Sequence, residues 1–306
     1  MDPSIVLMQF LNGIQYGALL FLLSAGLTLL FGIMNFVNLM HGSLYMMGAY
    51  IAAESYSWTG SFAWAAVMAF GGVFLLGIAL DRLAIAKLYD RNHLNQVLAT
   101  FGFMLFFNEL VTIIWGPVSI YTVTPPALSG AVQIFGVAYP VYRLFIIGVA
   151  LLVGLGLYLV IHRTRIGMLV RAGASVPGMV SGLGVNVKLL KMMLFGFGAA
   201  LAGLAGFMAG PITSIQSGMG EPVLILALVV IVTGGIGSVR GAFYGALIIG
   251  LIDTFGRAFL PGILQMVFND SIAQTTGPAL AAVMVYLLMA VILVLRPNGL
   301  FPVKYG

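Results

Sequence analysis

Polar side chains are scarce in this sequence, and one stretch collects several whose spacing could serve binding or transport. The segment NFVNLMHGSLY (35–45) places Asn38, His41 and Tyr45 at i, i+3 and i+7, which is one helical face if the backbone stays helical. Two hypotheses follow for this stretch. It is either a polar cap that satisfies freed backbone groups at a membrane edge, or a broken helix whose Asn35, Asn38, His41 and Tyr45 line a pathway.

Other polar residues inside apolar runs are candidates of the same kind. Asn108 and Glu109 lie about two-thirds along one run and extend the list of pathway candidates. Asp253 and Arg257 are four residues apart on a predicted helix, and this spacing favours a structural ion pair over a substrate site. Glu221 opens another run, where an acid suits a helix N-terminus as well as any ligand role.

Motifs for catalysis within the chain are missing from the sequence. It contains no G-x-x-x-x-G-K-[ST], no H-E-x-x-H and no G-x-S-x-G, and it has no cysteine. GGIGSVRG (234–241) is only superficially like a dinucleotide fingerprint, since no strand pattern precedes it. We therefore expect a protein that is not an enzyme, binds no metal and carries no cofactor of its own.

Composition identifies the medium in which these residues act. The chain is 61% hydrophobic and 7% charged, whereas a soluble domain has about 45–50% apolar and about 25% charged residues. So much apolar surface requires lipid as the main solvent. We predict an all-α polytopic transmembrane bundle forming a single domain over residues 1–306, with about eight to ten spans. The first helix is expected to be retained rather than cleaved as a signal peptide.

Apolar runs separated by turn signals define the predicted spans. These are residues 5–34, 41–56, 62–80, 94–115, 141–161, 192–213, 222–238, 241–260 and 276–295. The first run is longer than the hydrocarbon core, so it either tilts strongly or breaks near Ser24-Ala25-Gly26, and a break raises the count to ten. At least one broken helix is expected.

Basic residues predict the orientation from residue 57 onward. Ten of the 13 Lys and Arg residues lie in three places, namely loop 81–93, loop 162–191 and the tail after residue 295. The alternating loops 57–61, 116–140, 214–221 and 261–275 contain none. The positive-inside rule therefore places the first set, with the C-terminus, in the cytoplasm. The orientation of the N-terminus stays open.

Loop 162–191 is long for a connector and contains five basic residues without an acid. Its charges alone need no more than a role in orientation. RIGMLVRAGAS (165–175) can also form a short helix on the cytoplasmic face. Such a helix suits docking into a groove of another protein, with a position on the membrane surface as the alternative.

Small residues recur at four-residue spacing in two places. Gly198, Ala202, Gly206 and Gly210 form one stripe, and Gly241 with Gly245 forms a G-x-x-x-G. Small residues let helix backbones approach closely in lipid. The spacing favours contacts within the chain, and a subunit interface is the alternative.

Motifs along nearly the whole chain resemble a known family. They are GLTLLFGIMNFVNLMHGSLYMMGAY (26–50), TRIGMLVRA (164–172) with GLGVNV (182–187), GGIGSVRGAFYGALIIG (234–250) and RPNGLF (296–301). In this order they are similar to the branched-chain amino acid permeases, the LivH-type inner-membrane subunits of bacterial ABC importers. The resemblance implies a translocation pathway for branched-chain amino acids or similar small amphipathic solutes. The alternative is a self-sufficient secondary transporter or channel.

The resemblance also implies partners and assigns a role to loop 162–191. Expected partners are a second, homologous permease subunit in a heterodimer, two ATP-binding cassette subunits that bind the ATP, and an extracytoplasmic substrate-binding protein. The loop resembles the family's coupling helix. This resemblance implies that the following residues contact the ATPase: Arg165, Arg171, Met179, Gly182, Gly184 and Val185. Relatives usually carry acidic residues here, whereas this chain reads GASVPGMVS, so docking contacts are expected to differ in detail.

Overall fold

The protein is a bundle of helices in a computed structural model that describes residues 2–302, apart from the side chains of Ile33, Ala174 and Pro177. The predicted tail residue Lys304 lies outside this range. The helices are α1 Pro3–Met34, α2 His41–Thr59, α3 Phe62–Leu83, α4 His93–Trp115, α5 Val141–Arg163, α6 Arg165–Ser175, α7 Pro177–Gly182, α8 Val187–Ala209, α9 Gly220–Gly234, α10 Val239–Leu264 and α11 Asp270–Leu295.

Side-chain caps fix where many of these helices begin. In each case an oxygen of the residue before the helix accepts a hydrogen bond from a free backbone N–H of the first turn. The capping residues are Asp2, Ser61, Asn92, Thr164, Asn186, Ser238 and Asn269. The short helix predicted over 165–175 begins and ends at those residues, because Thr164 caps it and Pro177 starts the next helix.

The nine predicted membrane segments all form helices, and seven of these are long and apolar enough to cross a membrane. The other two are α2 and the 15-residue α9. The first run does not break at Ser24-Ala25-Gly26, since α1 is continuous through these residues. Its 32 residues extend about 48 Å, so the tilted single helix is the alternative that the structure supports.

One element departs from the all-α prediction. Residues Ala131–Ile134 (β1) and Val137–Pro140 (β2) form an antiparallel hairpin in the loop before α5. Phe135 and Gly136 connect the strands with positive φ at both positions, as a two-residue hairpin turn requires. The spacing of the spans predicts only a connecting loop over residues 116–140, and it gives no signal for this hairpin.

Helices α1 and α8 form the centre of the bundle. Of the membrane-span window in each helix, 83% of α1 and 78% of α8 is buried, against 17–28% in the five other spanning helices. The small-residue stripe of α8 explains the close approach, because Gly198 faces α1 and Gly206 faces α2. Gly241 and Gly245 likewise face α9. The prediction of contacts within the chain is confirmed for these glycines.

Helix directions identify the two ends of the bundle. α1 and α10 are antiparallel, since Gly13 lies against Leu251 and Gly32 against Gly237. Loop 84–92 lies at the same end as the start of α8, where the Lys191 ammonium is 5.1 Å from the centre of the Tyr89 ring. We call the end that carries this loop, α6 and α7 the basic end.

Candidate functional site

The chain between α1 and α2 is not helical and lies inside the protein. α1 ends at Met34 and is followed by Asn35, which adopts the left-handed conformation with φ 48°, and α2 begins at His41. Phe36, Asn38 and Met40 in this connection are buried. We call residues 35–40 the inner break. These non-helical residues separate two helices, whereas the break predicted within α1 is absent because α1 is continuous to Met34.

Two buried side chains of α4 hold the inner break in place. The Val37 backbone N–H donates to Oε1 of Gln96 at 3.4 Å, and the Leu39 N–H donates to Oγ1 of Thr100 at 3.2 Å. The Gln96 amide nitrogen also donates to the carbonyl of Leu88, 3.2 Å away. A backbone without helical hydrogen bonds is tolerated at membrane depth only where other groups satisfy it, and α4 supplies those groups here.

The start of α2 lies near the middle of the bundle rather than at its edge. Nε2 of His41 is 3.1 Å from the carbonyl oxygen of Leu23, and the His41 ring faces Gly26 of α1. Gly26 also faces Gly198, which is eleven residues into α8 and hence about 16 Å from the basic end. This depth is about half of a 30 Å hydrocarbon core.

A second helix start meets α2 at this depth. A Cβ on Gly42 would lie 2.6 Å from the carbonyl oxygen of Gly220, the first residue of α9. α9 then runs to Gly234, which faces Gly241 at the basic end. Residues 210–219 therefore re-enter the bundle from the opposite end without forming a helix, and Ile215 pairs with Ile120 through two backbone hydrogen bonds.

The two helix starts create a distinctive electrostatic setting. Free N–H groups and the helix dipole give each helix N-terminus a partial positive charge. Here the N-termini of α2 and α9 converge inside the protein, where solvent screening is weak. We call this meeting point the helix junction. Discontinuous helices with such ends are typical of substrate sites in transporters.

Several polar side chains around the helix junction are buried without a hydrogen-bond partner in the described part of the chain. These atoms are Ser24 Oγ, Thr28 Oγ1, both amide atoms of Asn38, Nδ1 of His41 and Ser43 Oγ. Asn38 is 1% exposed and His41 is fully buried. Because a carbonyl only accepts, His41 Nε2 carries the proton toward Leu23, and Nδ1 is left without a partner. Leaving each of these groups without a hydrogen bond costs about 1–3 kcal/mol of stability. A ligand or a water molecule at the junction can supply the missing hydrogen bonds.

Glu221 completes the junction on the α9 side. Nδ2 of Asn108 in α4 donates to Oε1 of Glu221 at 2.6 Å. Ser217 of the re-entrant segment donates to the Asn108 carbonyl at 2.9 Å. A carboxylate in the first turn of α9 is stabilised by the helix dipole, and the Asn108 amide orients it. Glu221 therefore lies in the first turn of α9, as its sequence position suggested, and it also connects α9 to α4.

The predicted pathway residues separate into two groups. Asn38 is buried in the inner break, His41 and Tyr45 are buried on α2, and Asn108 contacts Glu221 at the helix junction. Asn35 and Glu109 lie on exposed faces. Sequence reasoning missed Ser24, Thr28, Ser43, Gln96 and Thr100. Gln96 and Thr100 are polar residues four apart within an apolar run, and that signal could have identified them.

The ion pair predicted on α10 is present. Nε of Arg257 lies 2.8 Å from Oδ2 of Asp253, whose side chain is only 6% exposed. The Arg257 side chain is 48% exposed, so the pair sits at the edge of the bundle. Its place on one helix, away from the helix junction, agrees with a structural role, and that role stays a prediction.

The segment predicted to contact an ATPase projects from the basic end. Met179 is 68% exposed, and Arg165, Gly182 and Gly184 are also exposed. Gly184 ends the segment with φ 85°, a conformation that favours glycine, and the Val185 N–H donates to the Val180 carbonyl at 3.3 Å. These positions suit a docking surface.

Helix α6 is anchored to α5. Arg171 donates to the carbonyl of Ile161 in the last turn of α5, which is a favourable place for a cation. Gly167 lies against the carbonyls of Val160 and Ile161 with no room for a side chain. Arg171 therefore has a contact within the chain that its predicted role did not include, and this contact attaches α6 to α5.

A series of contacts at the basic end leads from the start of α8 to the inner break. Tyr89 donates to the buried carboxylate of Asp81, and burial together with that bond raises the pKa of Tyr89, so the hydroxyl keeps its proton. Lys191 of α8 lies over the Tyr89 ring. Phe36 meets the same ring edge to face at 5.6 Å. The start of α8 and the inner break thus share one aromatic neighbour.

The fold and the junction define a class of protein before any comparison. It is a polytopic helical membrane protein whose discontinuous helices meet at an interior polar site. In residues 2–302, no group of three or more His, Asp or Glu side chains could hold a metal ion.

Comparison with known proteins identifies the family. The profile of the family described as "Branched-chain amino acid transport system / permease component" matches residues 9–294. The chain belongs to this family. It is a permease subunit of an ABC transport system, as its motifs predict, rather than an enzyme or a self-sufficient transporter.

Individual relatives agree with this assignment. The high-affinity branched-chain amino acid transport system permease protein BraD of Pseudomonas aeruginosa is 29% identical over 96% of this chain and 95% of its own length. The permease LivH of Escherichia coli strain K12 is 28% identical, covering 83% of this chain and 87% of LivH. A probable LivH of Methanocaldococcus jannaschii is 25% identical, covering 81% and 83%. No solved structure matches the chain.

Proposed function

We propose that the chain forms part of the translocation pathway of an ATP-driven importer, and that the helix junction is its polar site. The observation that carries this proposal is the group of buried, unpartnered polar atoms of Asn38, His41 and Ser43 beside two converging helix N-termini. Groups that cost stability are retained where they serve a ligand.

The chemistry of the junction favours a small solute that carries a carboxylate. Two positive helix ends and the donors of Asn38 and Ser43 suit the carboxylate of an amino acid. Apolar neighbours such as Leu224 suit an aliphatic side chain. Branched-chain amino acids are thus the first substrate class, supported by the names of the relatives. Other amino acids, amides, urea and small carboxylates form the second.

The proposed assembly places the basic end in the cytoplasm of a cell with the chain in its inner membrane. Ten of the 13 basic residues fall in the predicted cytoplasmic segments, which is the positive-inside pattern. There α6, α7 and the turn at Gly184 meet one of two ATPase subunits, which bind the ATP, and this chain binds no cofactor. A second, homologous permease and an extracytoplasmic binding protein complete the complex.

Purification of the complex tests this function. The chain, produced with an affinity tag in its own cells, should recover an ATPase subunit and a second permease, and vesicles containing this complex should take up leucine only with ATP. Recovery of the chain alone, or uptake driven by a proton or sodium gradient without ATP, contradicts the proposal. The proteins in the eluate are identified by mass spectrometry.

Asn38→Leu should make the protein more stable and the transporter less active. The substitution removes an amide that is buried without a partner, which relieves about 1–3 kcal/mol, and the Leu side chain has the same branched shape. Transport should fall because the junction loses its amide. The melting temperature of the purified complex and the rate of leucine uptake check the two signs.

Gln96→Leu is the matched control for this prediction. It also replaces a buried amide with Leu, but the Gln96 side chain makes hydrogen bonds to Val37, Leu88 and Arg91. Removing a bonded amide leaves its partners unpaired and should lower the melting temperature. If Asn38→Leu lowers it in the same way, Asn38 is a polar cap and not part of a ligand site.

A further inference from the structure

A groove on the membrane-facing side of the bundle combines apolar walls with one cationic side chain. We propose that it binds an anionic glycerophospholipid, with the phosphate on Arg240 and an acyl chain along the apolar walls. The groove lies between α5 and α10 at the basic end, and six of its lining residues are Phe21, Leu151, Tyr158, Arg240, Phe243 and Tyr244. The site is separate from the helix junction and plays no part in the proposed pathway.

The shape and walls of the groove suit a hydrocarbon chain. Its volume is about 450 Å³. Phe21 forms a fully buried floor, and its ring meets Phe243 edge to face with centroids 5.2 Å apart. Leu151 and Tyr244 form the rim and are about half exposed. A rim of this kind on a membrane helix faces lipid tails, so an acyl chain reaches the groove without crossing a polar surface.

The positive charge of Arg240 at the groove favours an anionic ligand. One Arg240 nitrogen donates to the Tyr158 hydroxyl at 2.9 Å, and the guanidinium lies 4.9 Å from the centre of the same ring. A guanidinium has five N–H donors, and in residues 2–302 that of Arg240 has no carboxylate partner. Arg240 is also the second residue of α10, where the helix dipole disfavours a cation. A phosphate oxygen complements both the guanidinium and the helix end.

The depth of Arg240 matches that of a lipid headgroup. Tyr158 is five residues before the end of α5, or about 8 Å along the axis. Its ring stacks on His162 at 4.5 Å, and the exposed Arg163 follows. Tyr and Arg in this arrangement are typical of a membrane interface, and basic pockets between helices on the cytoplasmic side bind acidic headgroups. That the leaflet is cytoplasmic rests on the proposed orientation.

Three other occupants fit the observations less well. A neutral lipid satisfies the apolar walls but leaves the guanidinium without an anion. A second permease subunit would cover an apolar face, yet it would have to bury Arg240 with a carboxylate of its own. Free phosphate lacks the hydrocarbon that the groove walls favour.

Native mass spectrometry of the purified complex tests the proposal. Phosphatidylglycerol and phosphatidylcholine with identical acyl chains are titrated separately into the complex in detergent. The unaltered complex should bind phosphatidylglycerol about fivefold more tightly, as expected for one arginine at an anionic headgroup. Arg240→Gln should remove this preference, whereas Arg240→Lys should keep part of it. Arg163→Gln is the matched control, since it removes a cation at the same end but outside the groove.

Three results would overturn the proposal. One is equal binding of the two lipids by the unaltered complex, and another is an undiminished preference in Arg240→Gln. The third uses the absence of native cysteine in the sequence. A single Leu151→Cys should form a thioether with a maleimide-labelled lipid probe in membranes, whereas a Leu151→Cys thiol that stays unlabelled in the assembled complex identifies the groove as a subunit interface. Lipid binding is read without ATP or substrate, so it is independent of the test of transport.

Discussion

Gly220→Ala should abolish transport and lower the melting temperature of the complex by several degrees. A Cβ at this position would overlap the carbonyl group of Gly42, which is backbone and cannot rotate away. The helix starts of α2 and α9 must then move apart, and overpacking of a close contact costs about 1–3 kcal/mol. Because the helix junction depends on this contact, its polar groups lose their arrangement as well. Leucine uptake by reconstituted vesicles and a thermal melt check the two effects.

Gly102→Ala separates this effect from the general consequences of a glycine substitution. Gly102 lies within α4, and a Cβ there would have no neighbour within 4 Å. Since Ala favours a helix over Gly by about 1 kcal/mol, this variant should be as active and at least as stable as the unaltered protein. Equal uptake and equal melting temperatures for the Gly220 and Gly102 variants would show that the junction is not closely packed.

Long apolar runs made the helices predictable. The run 94–115 became α4, His93–Trp115, and the run 241–260 became α10, Val239–Leu264, because a chain in lipid must satisfy its backbone within each helix. The amphipathic segment 165–175 was predictable for a similar reason, since Thr164 before it and Pro177 after it are local signals. Each of these features is encoded by neighbouring residues.

The depth of the helix starts could not be read from the sequence. The position of His41 in the interior depends on its contacts with Leu23 and Gly26, and that of α9 on the contact between Gly42 and Gly220. These partners are far apart in the chain, and Gly occurs too often in membrane helices to predict which pairs meet. The bond between Asn108 and Glu221 spans 113 residues for the same reason. The site was therefore predictable as a set of polar residues but not as a junction.

Gly167→Ala should uncouple ATP hydrolysis from transport. A Cβ at Gly167 would overlap the carbonyls of Val160 and Ile161 at the end of α5, so α6 must shift away from α5. The shift also breaks the bond from Arg171 to Ile161. With α6 detached, motion of an ATPase bound to the basic end is no longer transmitted to α5 and the bundle. We expect leucine uptake to fall about tenfold or more, which corresponds to about 1.4 kcal/mol, while ATP hydrolysis continues.

Gly156→Ala is the matched control, because it lies in α5 outside the proposed docking surface and a Cβ there would have no neighbour within 4 Å. Helix propensity alone predicts that both substitutions stabilise their helices by up to about 1 kcal/mol. Only the contact with α5 predicts that they differ. Uptake and ATP hydrolysis are measured on the same reconstituted complexes, and the ratio of the two should change for Gly167→Ala but not for Gly156→Ala. An unchanged ratio in both variants means that α6 transmits motion without its anchor on α5, which leaves the exposed α7 and the turn at Gly184 as the coupling contact.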